Sequence, residues 1–101
     1  MFMKNIYDYT IPDIGEEFTT LLKHKNIQIN NIVSSDKLED KLYIQDEDEW
    51  LVLLKGKATL LLDGETKILE DGDTLFIPAK TPHKILSTIK GTLWLTVHIF
   101  D

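Results

Sequence analysis

Short strand-like segments separated by turn signals make up most of this chain, and they restrict it to an all-β fold. Asp63-Gly64 is typical of a two-residue hairpin turn, because glycine tolerates the positive φ that such turns require. No helical stretch separates the segments, which favours an antiparallel sandwich or barrel over alternating β-α-β units. The predicted strands are residues 27–33, 41–45, 50–54, 58–62, 66–69, 74–77, 83–88 and 92–100.

The N-terminal region carries the one helix signal. Asp13 is a suitable N-cap and Glu16 follows three residues later, which predicts a short helix over residues 13–22. A chain of 101 residues suits one domain. We therefore predict an N-terminal arm with a short helix over residues 1–26 and a single barrel domain over residues 27–101. The apolar residues expected on one face of the helix are Phe18, Leu21 and Leu22.

The composition of the chain restricts the kinds of partner and metal site that we expect. Seventeen acidic residues against eleven basic ones give a net charge of -6, which repels phosphate backbones, so nucleic acid is not expected as a partner. The absence of cysteine excludes disulfides and thiolate metal sites. No apolar run resembles a signal peptide or a membrane helix, so we expect a cytoplasmic protein without a membrane partner. A chain this short shares its apolar residues between core and subunit contacts, which favours a homodimer.

Five residues occur at spacings that form two linked motifs. Glu49 lies seven residues before Gly56, Gly72 lies six before Pro78, and His83 lies five after Pro78. With these spacings and the strands between them, residues 27–100 resemble the cupin superfamily. The chain looks closest to small single-domain bacterial cupins that carry Tyr-x-Gln where the first motif of the family has His-x-His.

The resemblance implies a fold and a site. The fold is the cupin-type antiparallel β-barrel, also called a double-stranded β-helix or jelly roll. In the wider family, two histidines and a glutamate of the first motif and a histidine of the second bind one divalent metal ion inside the barrel. By position Glu49 and His83 match two of these ligands, whereas Tyr43 and Gln45 occupy the places of the paired histidines.

Two further residues complete the predicted site. His98 and Trp94 share a face of the last predicted strand, because side chains alternate along a strand. If that face lines the barrel, His98 is a candidate metal ligand or an acid/base partner of His83; otherwise it packs among aromatic side chains or at a dimer contact. The candidate metal ligands are Glu49, His83, Gln45 and His98. The candidate catalytic residues are His83, Glu49 and His98, and the candidate ligand-binding residues are Tyr43, Gln45 and Trp94.

Three functions remain open from the residues. The first is a metal-dependent enzyme acting on a small organic molecule, with a divalent transition metal such as Zn, Mn, Fe or Ni that polarises an oxygen or activates water. The second is a metal-free module that binds or senses a small polar ligand, which the loss of the histidine pair favours. The third is a structural dimer whose pocket is vestigial. Fold resemblance alone does not select the reaction or the ligand.

Overall fold

The computed structural model describes residues 3–101 and contains eight β-strands in chain order. All pairings between strands are antiparallel. The all-β, antiparallel prediction is therefore confirmed. The strands are β1 (Glu16–His24), β2 (Ile27–Ser34), β3 (Asp48–Lys55), β4 (Lys57–Leu62), β5 (Glu65–Glu70), β6 (Thr74–Ile77), β7 (His83–Thr88) and β8 (Thr92–Ile99).

The strands form two sheets with a shared interior. One sheet has five strands in the order β1-β2-β8-β3-β6, and the other has three in the order β5-β4-β7. Side chains alternate in burial along β3 and β4, as expected for strands with one face against a core. The core cluster draws on both sheets, so the two layers enclose one interior. Its buried members are Leu51, Leu53, Ala58, Leu60, Leu69, Ile77 and Trp94.

The predicted N-terminal helix is wrong. Residues 16–24 form strand β1, which pairs along its length with β2, and the described residues contain no helix. A β-bulge between Thr20 and Leu22 leaves one extra residue in β1, which lets two leucines stand next to each other in a strand. That local irregularity breaks the alternation of a strand and imitates helical spacing. The backbone hydrogen bonds to β2 make this segment a strand, and the local helix propensity of its residues gives no information about that long-range pairing.

The strand predicted over residues 41–45 is also wrong. Tyr43 makes a single antiparallel bridge to His83, with backbone N···O distances of 2.8 and 2.9 Å in the two directions, and the flanking residues do not extend it. The segment is therefore a loop attached at one point to the start of β7. By contrast, the Asp63-Gly64 turn joins β4 and β5 with φ angles of 47° and 82°, as the two-residue hairpin signal predicted.

No helix within residues 3–101 has the length and apolar character needed to cross a membrane. The cytoplasmic location and the homodimer stay predictions.

Candidate functional site

A cavity of about 100 Å³ lies between the two sheets, and we call it the inner pocket. Every site residue predicted from the sequence lines it, although these residues come from four separate parts of the chain. Most of the wall is apolar, with a few polar groups directed into it, which is the usual composition of a small-molecule site. The lining residues are Glu16, Phe18, Ile32, Tyr43, Gln45, Glu49, Leu51, Leu60, Ile77, His83, Ile85, Trp94, Thr96 and His98.

Glu49 is placed by the second position of β3, where it faces the interior and is only 7% exposed. Its neighbours in the sheet are Ile77 of β6 and His98 of β8. The side-chain amide of Gln45 donates a hydrogen bond to one Glu49 carboxylate oxygen at 2.9 Å. A buried carboxylate requires such a partner, because burial without one is costly. Among the described residues, the second carboxylate oxygen has no hydrogen-bond partner and is free for a ligand.

His83 begins β7 and is 7% exposed. Its Nδ1 lies 3.0 Å from the backbone oxygen of Thr81, and since a carbonyl only accepts, Nδ1 carries a proton. In the neutral ring Nε2 is then the basic nitrogen. The ring stacks on Tyr43 with centroids 5.8 Å apart and planes 22° from parallel. Pro82 precedes His83, and the Tyr43 bridge holds its backbone, so the imidazole has a defined orientation.

His98 faces the inner pocket, but both of its ring nitrogens are engaged. Nδ1 lies 2.9 Å from a carboxylate oxygen of Glu47, and Nε2 lies 3.3 Å from the Thr96 hydroxyl. The Glu47 contact is largely shielded, with the two side chains 15% and 17% exposed. In the sequence Glu47 is only one member of an acidic run over residues 46–49. Its position across from β8, which only the fold reveals, makes it the orienting partner of His98.

Trp94 forms part of the pocket wall and is tied to the neighbouring strand. Its indole N–H donates to the Ser34 hydroxyl at 3.0 Å, and Trp94 is 2% exposed. The Ser34 hydroxyl in turn donates to Glu16 at 2.5 Å. The indole N–H occupies a lone pair of the Ser34 oxygen, so the single hydroxyl proton of Ser34 is directed toward Glu16. This chain of hydrogen bonds connects the wall of the pocket to a carboxyl group at its edge.

Glu16 is the functional candidate that sequence reasoning missed. It lies at the start of β1, opposite Ser34 of β2, and lines the inner pocket. Burial raises the pKa of its carboxyl above the ordinary value; the hydrogen bond from Ser34 opposes this rise, and the nearby charge of Glu49 adds to it. The alternation of Glu16 and Phe18 was the available signal, but the helix prediction placed Glu16 as a capping residue.

A larger, open cavity of about 670 Å³ adjoins the inner pocket, and we call it the outer cavity. The two share Glu16, Phe18, Tyr43 and Ile85 as lining residues, so these four side chains form the boundary between them. Burial raises the pKa of the Tyr43 hydroxyl, and the charges of Glu16 and Glu39 raise it further. The phenol is therefore protonated near neutral pH. The outer cavity is also lined by Ile14, Gly15, Lys37, Leu38, Glu39 and Lys41.

The polar groups do not fit the divalent ion that the family resemblance implies. Within residues 3–101 no three or more His, Asp or Glu side chains are grouped so as to hold a metal ion. Gln45 presents its N–H, which is not a metal ligand, to Glu49, and the nitrogens of His98 are bound to Glu47 and Thr96. Catalytic zinc sites use three protein ligands, whereas this arrangement offers Glu49 and His83. Metal binding through the four predicted ligands stays a prediction.

Comparison with solved structures identifies the same fold in other proteins. A provisionally named mannose-6-phosphate isomerase from Ralstonia eutropha JMP134 is 27% identical, with all of both chains covered and a TM-score of 0.89. KdgF from a Halomonas species is 14% identical, with 94% of this chain and 89% of that chain covered and a TM-score of 0.80. An RmlC-like cupin from Shewanella frigidimarina is 19% identical, with 93% and 86% covered and a TM-score of 0.78.

Comparison of the sequence itself gives the family. No curated protein matches the chain. A family model described as the cupin domain matches residues 39–98, which is more than half of the chain and contains both motifs. The subgroup with Tyr-x-Gln in the first motif stays a prediction. With both motifs matched and the fold shared with solved cupin structures, the chain belongs to the cupin family.

Proposed function

We propose that the inner pocket binds a small polar organic molecule and that binding does not depend on a resident metal ion. The observation that carries this proposal is the Gln45 to Glu49 hydrogen bond at 2.9 Å. It supplies the buried carboxylate with an amide N–H where a metal site would supply a cation. The negative charge of Glu49 is thus partly compensated within the protein, and its remaining oxygen is open to a ligand.

The polar atoms of the pocket that have no hydrogen-bond partner determine which groups a ligand must carry. The second oxygen of Glu49 accepts hydrogen bonds, and so does Nε2 of neutral His83. A ligand with hydroxyl or other N–H and O–H donors satisfies both groups, while its carbon skeleton lies against Leu51, Leu60 and Ile77. Leaving buried acceptors unpaired costs about 1–3 kcal/mol each, so the pocket discriminates against molecules that lack donors.

The name of the Ralstonia relative favours a hydroxylated ligand, and the lining of the inner pocket disfavours a phosphate there. The Ralstonia protein is named for a phosphorylated sugar, and at 27% identity its name gives only a direction for this chain. Glu16 and Glu49 line the inner pocket, and its lining residues within the described chain include no lysine or arginine. An anionic phosphate is disfavoured beside a buried and a half-buried carboxyl group when no cation of the lining compensates its charge. A hydroxyl-bearing end fits there, and any anionic end fits better in the outer cavity near Lys37 and Lys41.

If the bound molecule is turned over, Glu49 and His83 are the groups we propose to exchange protons with it. Both are buried, and both have one side-chain atom without a partner among the described residues. His98 has a different role in this scheme. With Glu47 and Thr96 on its two nitrogens, it positions the wall of the pocket instead of acting as a free base.

The proposal is tested by metal analysis together with a ligand screen. Protein expressed in media supplemented with Mn, Fe, Ni and Zn is analysed for bound metal, and its thermal stability is measured against a panel of small polyols, sugars and amines. We expect substoichiometric metal, and stabilisation by one or more compounds that is lost in Glu49→Ala and His83→Ala. The exposed residues Glu70 and His24 supply matched controls, Glu70→Ala and His24→Ala.

Two results contradict the proposal. Stoichiometric metal that stabilises the protein and is lost in both pocket variants restores the hypothesis of a metal-dependent enzyme. Ligand effects that are the same in the pocket variants and in the exposed controls place binding outside the inner pocket.

A further inference from the structure

Two carboxyl groups line one small cavity, and no lysine or arginine of the described chain lines it with them. Glu16 and Glu49 both line the inner pocket, yet they reach it from different strands, β1 and β3. Carboxyl groups that share a poorly solvated site do not both ionise readily, so one of them holds its proton to higher pH. Glu49 accepts an N–H from the Gln45 amide on one of its oxygens.

The hydrogen bonds around Glu16 leave one of its oxygens for a proton. The Ser34 hydroxyl donates a hydrogen bond to Oε2 of Glu16. The Trp94 indole N–H donates to the oxygen of that hydroxyl and so directs its proton toward Glu16. Oε1 of Glu16 has no partner among the described residues. A proton on Oε1 makes Glu16 a hydrogen-bond donor at the boundary between the inner pocket and the outer cavity.

We propose that Glu16 is a second ligand-contacting carboxyl group, which donates a hydrogen bond to a carbonyl oxygen of the ligand while Glu49 accepts one from an adjacent hydroxyl. This inference rests on the proposed function and adds the ligand class, a small neutral hydroxy-carbonyl compound. Burial raises the pKa of Glu16, the hydrogen bond from Ser34 lowers it and the charge of Glu49 raises it, and the net change is a rise.

The inner pocket together with the adjoining outer cavity accommodates this class. A cavity of about 150 Å³ in another protein holds benzene, which has six non-hydrogen atoms, so about 100 Å³ holds roughly four in proportion. A carbonyl group and an adjacent hydroxyl-bearing carbon together have four. The open outer cavity adjoins at Glu16, so a longer compound of the same class extends outward past Tyr43 and Phe18.

Other titratable groups face the same space, and the test has to separate them from Glu16. Those of the inner pocket are Tyr43, Glu49, His83 and His98, and those of the outer cavity are Lys37, Glu39, Lys41 and Tyr43. Replacing Glu16 by glutamine removes its titration, keeps an oxygen that accepts from Ser34, and keeps an N–H donor toward the ligand. Glu17→Gln is the matched control, because Glu17 is the next residue of β1 and lies outside both cavities.

The probes are dihydroxyacetone, which has a carbonyl oxygen that only accepts, and glycerol, which has a hydroxyl in its place. Binding is followed by NMR shift changes of pocket amides between about pH 5 and pH 8. We expect dihydroxyacetone to bind more tightly than glycerol at the acidic end of this range. Its dissociation constant should rise up to about tenfold for each pH unit above the pKa of Glu16, because only the protonated acid donates.

In Glu16→Gln we expect dihydroxyacetone binding to persist and the pH dependence to flatten, whereas Glu17→Gln keeps the wild-type profile. Equal binding of the two probes, or a pH profile unchanged in Glu16→Gln, overturns the inference. If neither probe binds while another compound depends on Glu49 and His83, the proposed function stands and the ligand class proposed here is wrong.

Discussion

Gly56 joins β3 to β4, where the chain first passes from the five-stranded sheet to the three-stranded one, and we expect Gly56→Ala to be strongly destabilising. Its φ is +121°, a region that residues with a Cβ rarely adopt. A Cβ at this position would lie 2.6 Å from Oγ1 of Thr92 and 2.9 Å from its Cα. The second contact is with backbone, so a side-chain rotation cannot relieve it.

The magnitude follows from these two costs. Positive φ in a residue with a Cβ costs roughly 1–2 kcal/mol, and forcing extra volume into a packed site costs about 1–3 kcal/mol. Their sum is about 2–5 kcal/mol in the free energy of unfolding. Gly64→Ala isolates the first cost, because Gly64 has a φ of +82° and a Cβ added there would meet no heavy atom within 4 Å.

Urea unfolding monitored by tryptophan fluorescence measures both variants under the same conditions. We expect Gly56→Ala to lose about 1–3 kcal/mol more than Gly64→Ala, which is the overpacking cost alone. The two variants should have equal m-values if the denatured state is unchanged. Equal losses in the two variants would refute the steric reasoning and show that the Thr92 backbone can move away.

Two further predictions concern the hydrogen-bonded wall of the pocket. Trp94→Phe removes the donor to Ser34 and should lower the free energy of unfolding by about 1–3 kcal/mol more than Trp50→Phe does. Trp50 is the control because it is 37% exposed and lies outside the core cluster. Equal losses for the two variants in chemical denaturation would contradict this role of Trp94. For Glu16, whose folded-state pKa is raised above the ordinary 4.5, the folded chain binds the proton more tightly than the unfolded chain. Wild-type stability should therefore fall relative to Glu16→Gln as pH rises from about 4.5 through the folded pKa, by about 1.4 kcal/mol per unit of pKa difference. Parallel stability curves for the two proteins contradict it.

The six residues predicted for the site all line the inner pocket, and their roles there stay predictions. Glu49 and His83 are predicted site residues because their distances from turn glycines and prolines match a known pattern, and turns set where a strand begins. His98 and Trp94 are placed by alternation along the last strand, and both line the pocket. Alternation is reliable there because β8 is paired on both sides, by β2 and β3, and has no bulge against β2.

The N-terminal region shows where local patterns fail. The bulge in β1 places Leu21 and Leu22 side by side, and Asp13 and Glu16 resemble a helix start. Only pairing with β2, which extends from Glu16 to His24, determines that this segment is a strand. The same pairing places the carboxyl group of Glu16, which the sequence did not predict as a site residue, opposite Ser34 and in the lining of the pocket.

By itself, the sequence determined an antiparallel β fold, which follows from strand alternation and turn signals, both of them local properties. Alternation also predicted that Trp94 and His98 share a strand face, while the resemblance to cupins implied Tyr43, Gln45, Glu49 and His83 as site residues, and all six line the inner pocket. Only the tertiary structure decided that Glu16 joins them, that Glu47 and Thr96 occupy the nitrogens of His98, and that Gln45 turns its N–H toward Glu49. Glu16 and Glu47 are distant in the chain from the groups they bind, whereas Gln45 and Thr96 are close in sequence to theirs. In both cases the pairing of particular side-chain atoms is set only when the sheets close, because each buried polar group then has to be satisfied.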